Sequence, residues 1–287
     1  MKCDLHVHTH HSGMCTVPVM KRICRESYND PRDVYETLKR RGMHLVTVTD
    51  HDSIDAAEPL RRHPDFFLSE EVSCSTEHGT HLHMGVYGIE ERDHADLQHR
   101  RDDLPRLIAW LHEKRLLFSI NHVFSGLTGP RTEADFEQFA SRFPAVETRN
   151  GQMLEAANRH AAAFAERHGR IPMAGSDAHT LRSLGRTYTI VPGARTAAEF
   201  LDGVKHGRST VAGESGDVWK LTQAVCSIGA SMVREKPWTA LLVPLMALVP
   251  AITIVNFAME LSFAAKWGNR VAGSPKTPVS AEALLLQ

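Results

Sequence analysis

Short apolar, β-branched runs alternate with longer amphipathic stretches over residues 1–213. CDLHVHT reads as a strand, and PRDVYETLKRRG as a helix with proline near its start and glycine closing it. HLVTVTDHD is a second strand, apolar enough to be buried on both faces. A short helix around Ile54 to Arg62 leads into FFLSEEVSC and THLHMGVYGI, both strand-like. Residues 93–115 predict one polar, leucine-punctuated helix ending in LIAWLHEKR. Then follow LFSINHV (strand), EADFEQFASRF (helix), AVETRN (strand) and MLEAANRHAAAFAERHG, a helix stopped by Gly169. IPMAGSDAH, TYTIVPG, a helix from Thr196 to His206 and STVAG complete the region. No internal repeat and no low-complexity linker interrupts it before residue 213. Such alternation builds a parallel sheet or a (β/α) barrel, so the expected class is α/β.

The pattern changes after Glu214. VWKLTQAVCSIGASMVREKPW is amphipathic with Lys220, Arg234 and Lys236, and could lie along a bilayer surface. Pro237 to Met259 then carries 23 residues without a charge. As a helix these span about 35 Å, enough for a bilayer core of roughly 30 Å. Trp238 and Trp267 are placed like interfacial anchors, with Arg234 and Lys236 on one side and Lys266 and Arg270 on the other. Pro244, Pro250 and Asn256 fit a re-entrant or interfacial segment as well as a spanning one. The expected organisation is a catalytic unit over 1–213 and a helical extension over 214–287, with a candidate membrane segment at 237–259.

Composition narrows the function classes. A formal charge of −1 gives no bulk electrostatic support for nucleic-acid binding. Five cysteines without a C-x-x-C pair argue against a disulfide framework or zinc ribbon and fit a reducing compartment. MKCDLHVHTHH lacks the apolar stretch of a secretory signal, so the main unit is expected to face the cytoplasm, with the apolar segment offering attachment to the inner face of the cell membrane. The 18 histidines are the outlier.

Those histidines fall in a pattern. Alternation along a strand puts His6 and His8 on one side and Leu5 and Val7 on the other. Paired imidazoles repel when protonated and lose hydration when buried, and a cation that takes their lone pairs resolves both problems. The remaining chemistry-bearing residues also sit at C-terminal ends of expected strands: Asp50 and His51, Glu70 and Glu71, His81 and His83, His122, Glu147 and Asn150, Asp177 and His179. In barrels that end carries the active site. Nitrogen and carboxylate donors without thiolate suit manganese, iron or zinc ions, and seven or more donors exceed what one ion uses, so at least two are expected.

Taken in order, D-L-H-V-H-T, T-D-H-D, E-V-S-C, H-M-G-V-Y-G, N-H and G-S-D-A-H resemble the PHP (polymerase and histidinol phosphatase) superfamily over residues 1 to about 213. The resemblance implies a distorted (β/α)7 TIM-like barrel, a two- or three-metal centre and hydrolysis of phosphate esters. It also implies ligand roles. His6, His8, Glu71 and Asp177 would hold the first metal, Glu71 would bridge to a second completed by His83 and His122, and His51 and His179 would serve a third. One departure stands out: the family's third site usually gains an Asp or His where this chain has Met14, a poor ligand for such ions. His10, His11 or Cys15 could substitute, or the third site could be weak or empty.

Further roles follow from placement. Asp177, His179 and His51 are the candidate catalytic residues, the two histidines as proton donors to the leaving oxygen should the third site be empty. Arg149 and Arg186, in loops after ligand-bearing strands, are candidate phosphate contacts, and Asp4 and Asp50 candidate supports for ligand imidazoles. Glu70 reads as structural, Cys74 as core-filling, and His81 as either a support behind the ligands or a surface residue. The expected partners are a small phosphorylated substrate and a membrane touched through residues 237–259. Two alternatives stand beside this: a metal-dependent amidohydrolase, disfavoured because no lysine occurs between Lys39 and Lys114, and a non-catalytic metal-binding module, which Met14 favours.

Overall fold

The amphipathic stretches become helices capped by the residues their sequences supply. In the computed structural model, which describes residues 1–18 and 20–272, helix α1 (Pro31–Arg40) starts where the Asp30 carboxylate accepts the Arg32 N–H. Val19 and residues 273–287, the end of the expected helical extension, lie outside the described residues. The single helix expected over 93–115 is two, α2 (Glu91–Arg100) and α3 (Leu104–Glu113). Asp103 caps α3 by accepting the Arg106 N–H, and Pro105 fits only a first turn, so a new helix must begin there. Helices α4 (Glu133–Arg142), α5 (Glu155–His168) and α6 (Ala197–Lys205) stand where the pattern puts them, with Gly169 left-handed at φ 60° after α5.

The strands are β1 (Lys2–Cys3), β2 (Ser69–Ser75), β3 (His81–Tyr87), β4 (Leu117–Ile120), β5 (Ala145–Asn150), β6 (Ile171–Gly175), β7 (Thr187–Ile190) and β8 (Thr210–Gly213). They form two sheets, β2-β3-β4-β5-β6 and β1-β7-β8. In the larger sheet β2, β3 and β4 pair antiparallel, and only β4-β5 and β5-β6 pair parallel. Mixed α/β is therefore the observed class, and among the described residues the strands make no closed barrel. The two strands expected first are the reason. CDLHVHT pairs in a sheet only at β1, and HLVTVTDHD makes isolated bridges, Val46 with Phe66 and His51 with Glu71. Side chains intercept the backbone donors a ladder would use: Val7 N–H bonds Thr49 Oγ1, Thr9 N–H bonds Asp50, and Ser176 N–H bonds Asp4.

The principal core lies between the five-stranded sheet and α3, α4 and α5, filled by Phe118, Phe136, Phe139, Phe143 and Phe164. Trp267 and Ala264 belong to that same core, although they come from the extension. The extension runs through α7 (Val218–Glu235), a 3₁₀ helix (Pro237–Leu248) and α8 (Val249–Trp267). Pro244 has no N–H to donate, and Pro250 sits in the first turn of α8, so the α-helix begins only there. Pro237–Val271 is long and apolar enough to cross a membrane, and only 11% of its most apolar window is buried. Leu241, Ile252, Val255 and Met259 are all more than half exposed, while Val249, Thr253, Ala264 and Trp267 on the other side are buried.

Candidate functional site

Segments that are remote in the chain bring their polar ends together above the sheet. The Nε2 atoms of His6 and His8 lie 3.0 Å apart. Asp177 Oδ1 sits 3.5 Å from the first and 3.3 Å from the second. Glu71 divides its two oxygens. Oε2 stands 3.1 Å from His6, 3.4 Å from His8 and 3.4 Å from His51, while Oε1 stands 3.4 Å from His122 and 3.7 Å from His83. His179 Nδ1 is 3.6 Å from Asp177 Oδ1. All eight expected ligands thus share one cluster, in which His6, His8, Glu71 and Asp177 are buried. Two of them occupy left-handed backbone, Asp177 at φ 52° and His122 at φ 30°. A non-glycine residue in that region is strained and marks positions the surroundings dictate.

A surrounding layer aims these side chains. Glu147 Oε1 lies 2.8 Å from His6 Nδ1, and its Oε2 accepts the His122 N–H and an Asn150 amide N–H. Asn121 donates to Glu71 Oε1 at 2.8 Å. Asp50 accepts from Ser12 Oγ, which lies 2.9 Å from His8 Nδ1, so its support of that ring runs through the serine. Asp4 behaves differently from expectation. It accepts backbone N–H groups from His6, Ser176 and Gly185 rather than a ligand imidazole, and so ties backbone segments together. Burial raises its carboxyl to about 6 against those hydrogen bonds.

The electrostatics are those of a carboxylate-rich pocket. Burial opposes the charge on Glu71, yet His6, His51 and His83 hold its carboxyl well below the ordinary range. Asp177 is lowered in the same way by His6, His8 and His179. Desolvation would strip the proton from His6, but Glu71, Asp177 and Glu147 keep it well above its usual value. His83 carries the opposite sign: burial lowers it to about 3. A cation satisfies this arrangement better than protons do. Two donors sharing an ion at about 2.1 Å each are about 3.0 Å apart at a right angle and about 3.4 Å apart in a tetrahedron. Most of the separations here, from 3.0 Å to 3.4 Å, fall in that range, while His6–Asp177, His179–Asp177 and His83–Glu71 are longer at 3.5, 3.6 and 3.7 Å. Buried His51 Nδ1 and His122 Nδ1 also lack hydrogen-bond partners. Three trios have donor atoms within 4.8 Å of one another and could hold a metal ion: His6-His8-Asp177, His6-Glu71-His122 and His8-His51-Glu71. The residues fit divalent ions.

The expected phosphate contacts are not part of the cluster. Arg149 donates to Gly213 O and Ser215 Oγ and pairs with Glu155, and Arg186 pairs with Glu214. A chemically suitable residue type at a strand end does not reveal that its donors are already occupied. His81 bonds Ser75 at the surface, Glu70 pairs with His94 at 2.6 Å, and Cys74 fills the core, all as expected. One residue was missed. Glu26 places Oε1 3.4 Å from His179 Nε2 and Oε2 3.5 Å from His51 Nε2. It lies in the loop between residues 11 and 30, which carries no periodicity to read.

A PHP-associated family model matches residues 155–209. An uncharacterized protein of Methanocaldococcus jannaschii is 37% identical over 54 residues, 19% of this chain and 30% of that protein. Among solved structures, a two-domain Bacteroides vulgatus protein containing a predicted PHP-like metal-dependent phosphoesterase superposes with a TM-score of 0.56 at 14% identity, over 74% of this chain and 64% of that one. PsfC from Pseudomonas syringae superposes with a TM-score of 0.53 at 15% identity, over 80% of this chain and 97% of its own. The chain spans less than two thirds of the first two, and the structural likeness is one of fold. A PHP-associated segment on a PHP-like fold is what these similarities amount to.

Proposed function

We propose that the chain hydrolyses a phosphate ester with a centre of two or three divalent ions, manganese, iron or zinc. One observation carries the reading: Glu71 turns one oxygen to His6 and His8 and the other to His122 and His83, as a carboxylate shared between two ions does. His6, His8 and Asp177 would complete the first position, and His83 and His122 the second. Ions held there supply an activated water and neutralise charge on the phosphoryl oxygens. The chain's own groups prepare that chemistry. Glu147 fixes the His6 ring, Asn121 fixes the Glu71 carboxylate, and Ser12 fixes the His8 ring. A cavity of about 190 Å³ between residues 180–187 and α7, lined by Arg182, Arg186, Trp219 and Lys220, includes none of the eight ligand residues in its wall.

Support for the architecture comes from the isolated bridges. Val7 with Ala178, Val46 with Phe66 and His51 with Glu71 link the ends of the five-stranded sheet through the two irregular segments, which favours a distorted seven-membered ring. The hydrolase reading agrees with the description of the Bacteroides protein. The test is a phosphorylated-metabolite panel assayed after metal reconstitution. Bound ions without turnover of any phosphoester would leave the non-catalytic module, and cleavage of amides alone the amidohydrolase.

The extension supports a second part of the proposal, contact with a lipid surface in which the segment lies along the bilayer. α8 cannot both bury Ala264 and Trp267 in the core and cross a membrane. Its other side and the preceding 3₁₀ helix leave Trp238, Leu241, Ile252, Val255 and Met259 exposed, apolar surface suited to a lipid interface.

A further inference from the structure

The loop that carries Met14 returns a carboxylate to the same place twelve residues later. Met14 itself is 38% exposed and forms an antiparallel bridge with Arg25. Two backbone hydrogen bonds flank that bridge, Cys15 N–H to Cys24 O and Glu26 N–H to Gly13 O, each at 3.1 Å. They pin Glu26 at the rim of the cluster with its side chain mostly covered. The other candidates to replace Met14 point elsewhere. His10 Nδ1 meets Asn29 O, His11 lies against Asp55, and the Cys15 backbone is paired to Cys24.

The Glu26 carboxylate instead stands between two imidazoles, each presenting Nε2 at 3.4–3.5 Å. His179 Nδ1 is committed to the Asp177 backbone oxygen at 2.9 Å, which leaves its Nε2 lone pair facing Glu26. The His8 ring stacks on both rings, with centroids 4.8 Å and 4.4 Å away. We infer that Glu26, His51 and His179 form a third divalent-cation position in which Glu26 replaces the ligand missing at Met14. The inference rests on the metal-centre reading above. It makes His51 and His179 ligands, so the leaving oxygen takes its proton from elsewhere.

The test counts ions rather than turnover. Full-length wild type and Glu26→Gln are stripped, loaded with Mn²⁺, desalted and analysed for manganese per chain. Wild type is expected to hold three ions and E26Q two, the third weakened by roughly 10–100-fold or more. Three ions in E26Q would overturn the role of Glu26. Two in the wild type would overturn the third position while leaving a two-ion centre, and none would overturn the metal reading itself. Loss of every ion in E26Q would also refute a separate third position. Anomalous diffraction of the Mn²⁺-loaded wild type gives a check that needs no variant: a manganese peak bonded to the Glu26 carboxylate is expected, and its absence overturns the assignment.

Discussion

Glu147 grips His6 from behind: its Oε1 lies 2.8 Å from the ring Nδ1, and its other oxygen takes the His122 N–H at 3.0 Å. One buried carboxylate thus orients a ring on the first irregular segment and the loop that bears a second ring. Glu147→Gln should weaken metal binding by about 10–100-fold while leaving the ion count at saturation unchanged. Competition against a chelator of known affinity measures this, and an effect below twofold would remove the orienting role.

Asp177 is best tested by asparagine, which tolerates its left-handed backbone at φ 52° better than alanine does. The carboxylate holds the first position with His6 and His8, so Asp177→Asn should lower phosphoesterase turnover at least roughly a thousandfold and remove one or more ions. The metal-free variant should also melt lower, because buried His6 loses a carboxylate that holds its proton. Retained turnover would contradict the proposed centre.

Metal removal should have a pH signature. Without ions, burial lowers the His51 imidazole but Glu71 and Glu26 raise it further, to about 9 against an ordinary 6.5. A raised histidine contributes stability in full below its unfolded value and loses it as pH climbs through the folded one. The melting-temperature gap between loaded and chelator-treated protein should therefore widen from pH 6.5 to 9, each kcal/mol counting for roughly 2–4 °C. A gap that stays flat or narrows would contradict the charge assignment.

Gly175 marks where β6 meets the first histidine segment. A Cβ there would lie 2.3 Å from His6 Cβ and 2.4 Å from its nitrogen. Gly175→Ala should cost about 1–3 kcal/mol and disturb metal binding through His6, although the position is far from it in sequence. Denaturant midpoints read alongside manganese counts would check both effects, and an unchanged count would argue that the segments separate without moving the ring.

The apolar surface predicts a partition experiment. Leu241 is 84% and Ile252 61% exposed, so the double change Leu241→Ser, Ile252→Ser should alter stability within about 0.5 kcal/mol. It should nevertheless lower the fraction that sediments with phosphatidylglycerol vesicles severalfold. Equal sedimentation of both proteins would remove the lipid contact.

The sequence made parts of this plain and hid others for physical reasons. Two-residue alternation is a local property, so His6 and His8 were legible as a pair facing one way. Glu71 and Asp177 were legible through the resemblance of E-V-S-C and G-S-D-A-H to the family's motifs, since placement near a strand end did not by itself separate Glu71 from Glu70. That the described strands stop short of a closed barrel was not, because Thr49, Asp50 and Asp4 take up backbone donors that an apolar run would give to a neighbouring strand. Arg149 and Arg186 misled because their partners, Glu155 and Glu214, are set by tertiary packing. Glu26 reaches the cluster only through the pairing of a loop with itself, which no periodicity announces.

The contact of Trp267 with Phe136, ring centres 5.3 Å apart, changes how the two ends of the chain should be regarded. A shortened protein ending near residue 213 would lack a keystone as well as its greasy surface, and the gap would open onto the phenylalanines behind the sheet. Such a fragment would aggregate through that wound, and its stickiness would mimic the very lipid affinity its loss was meant to abolish.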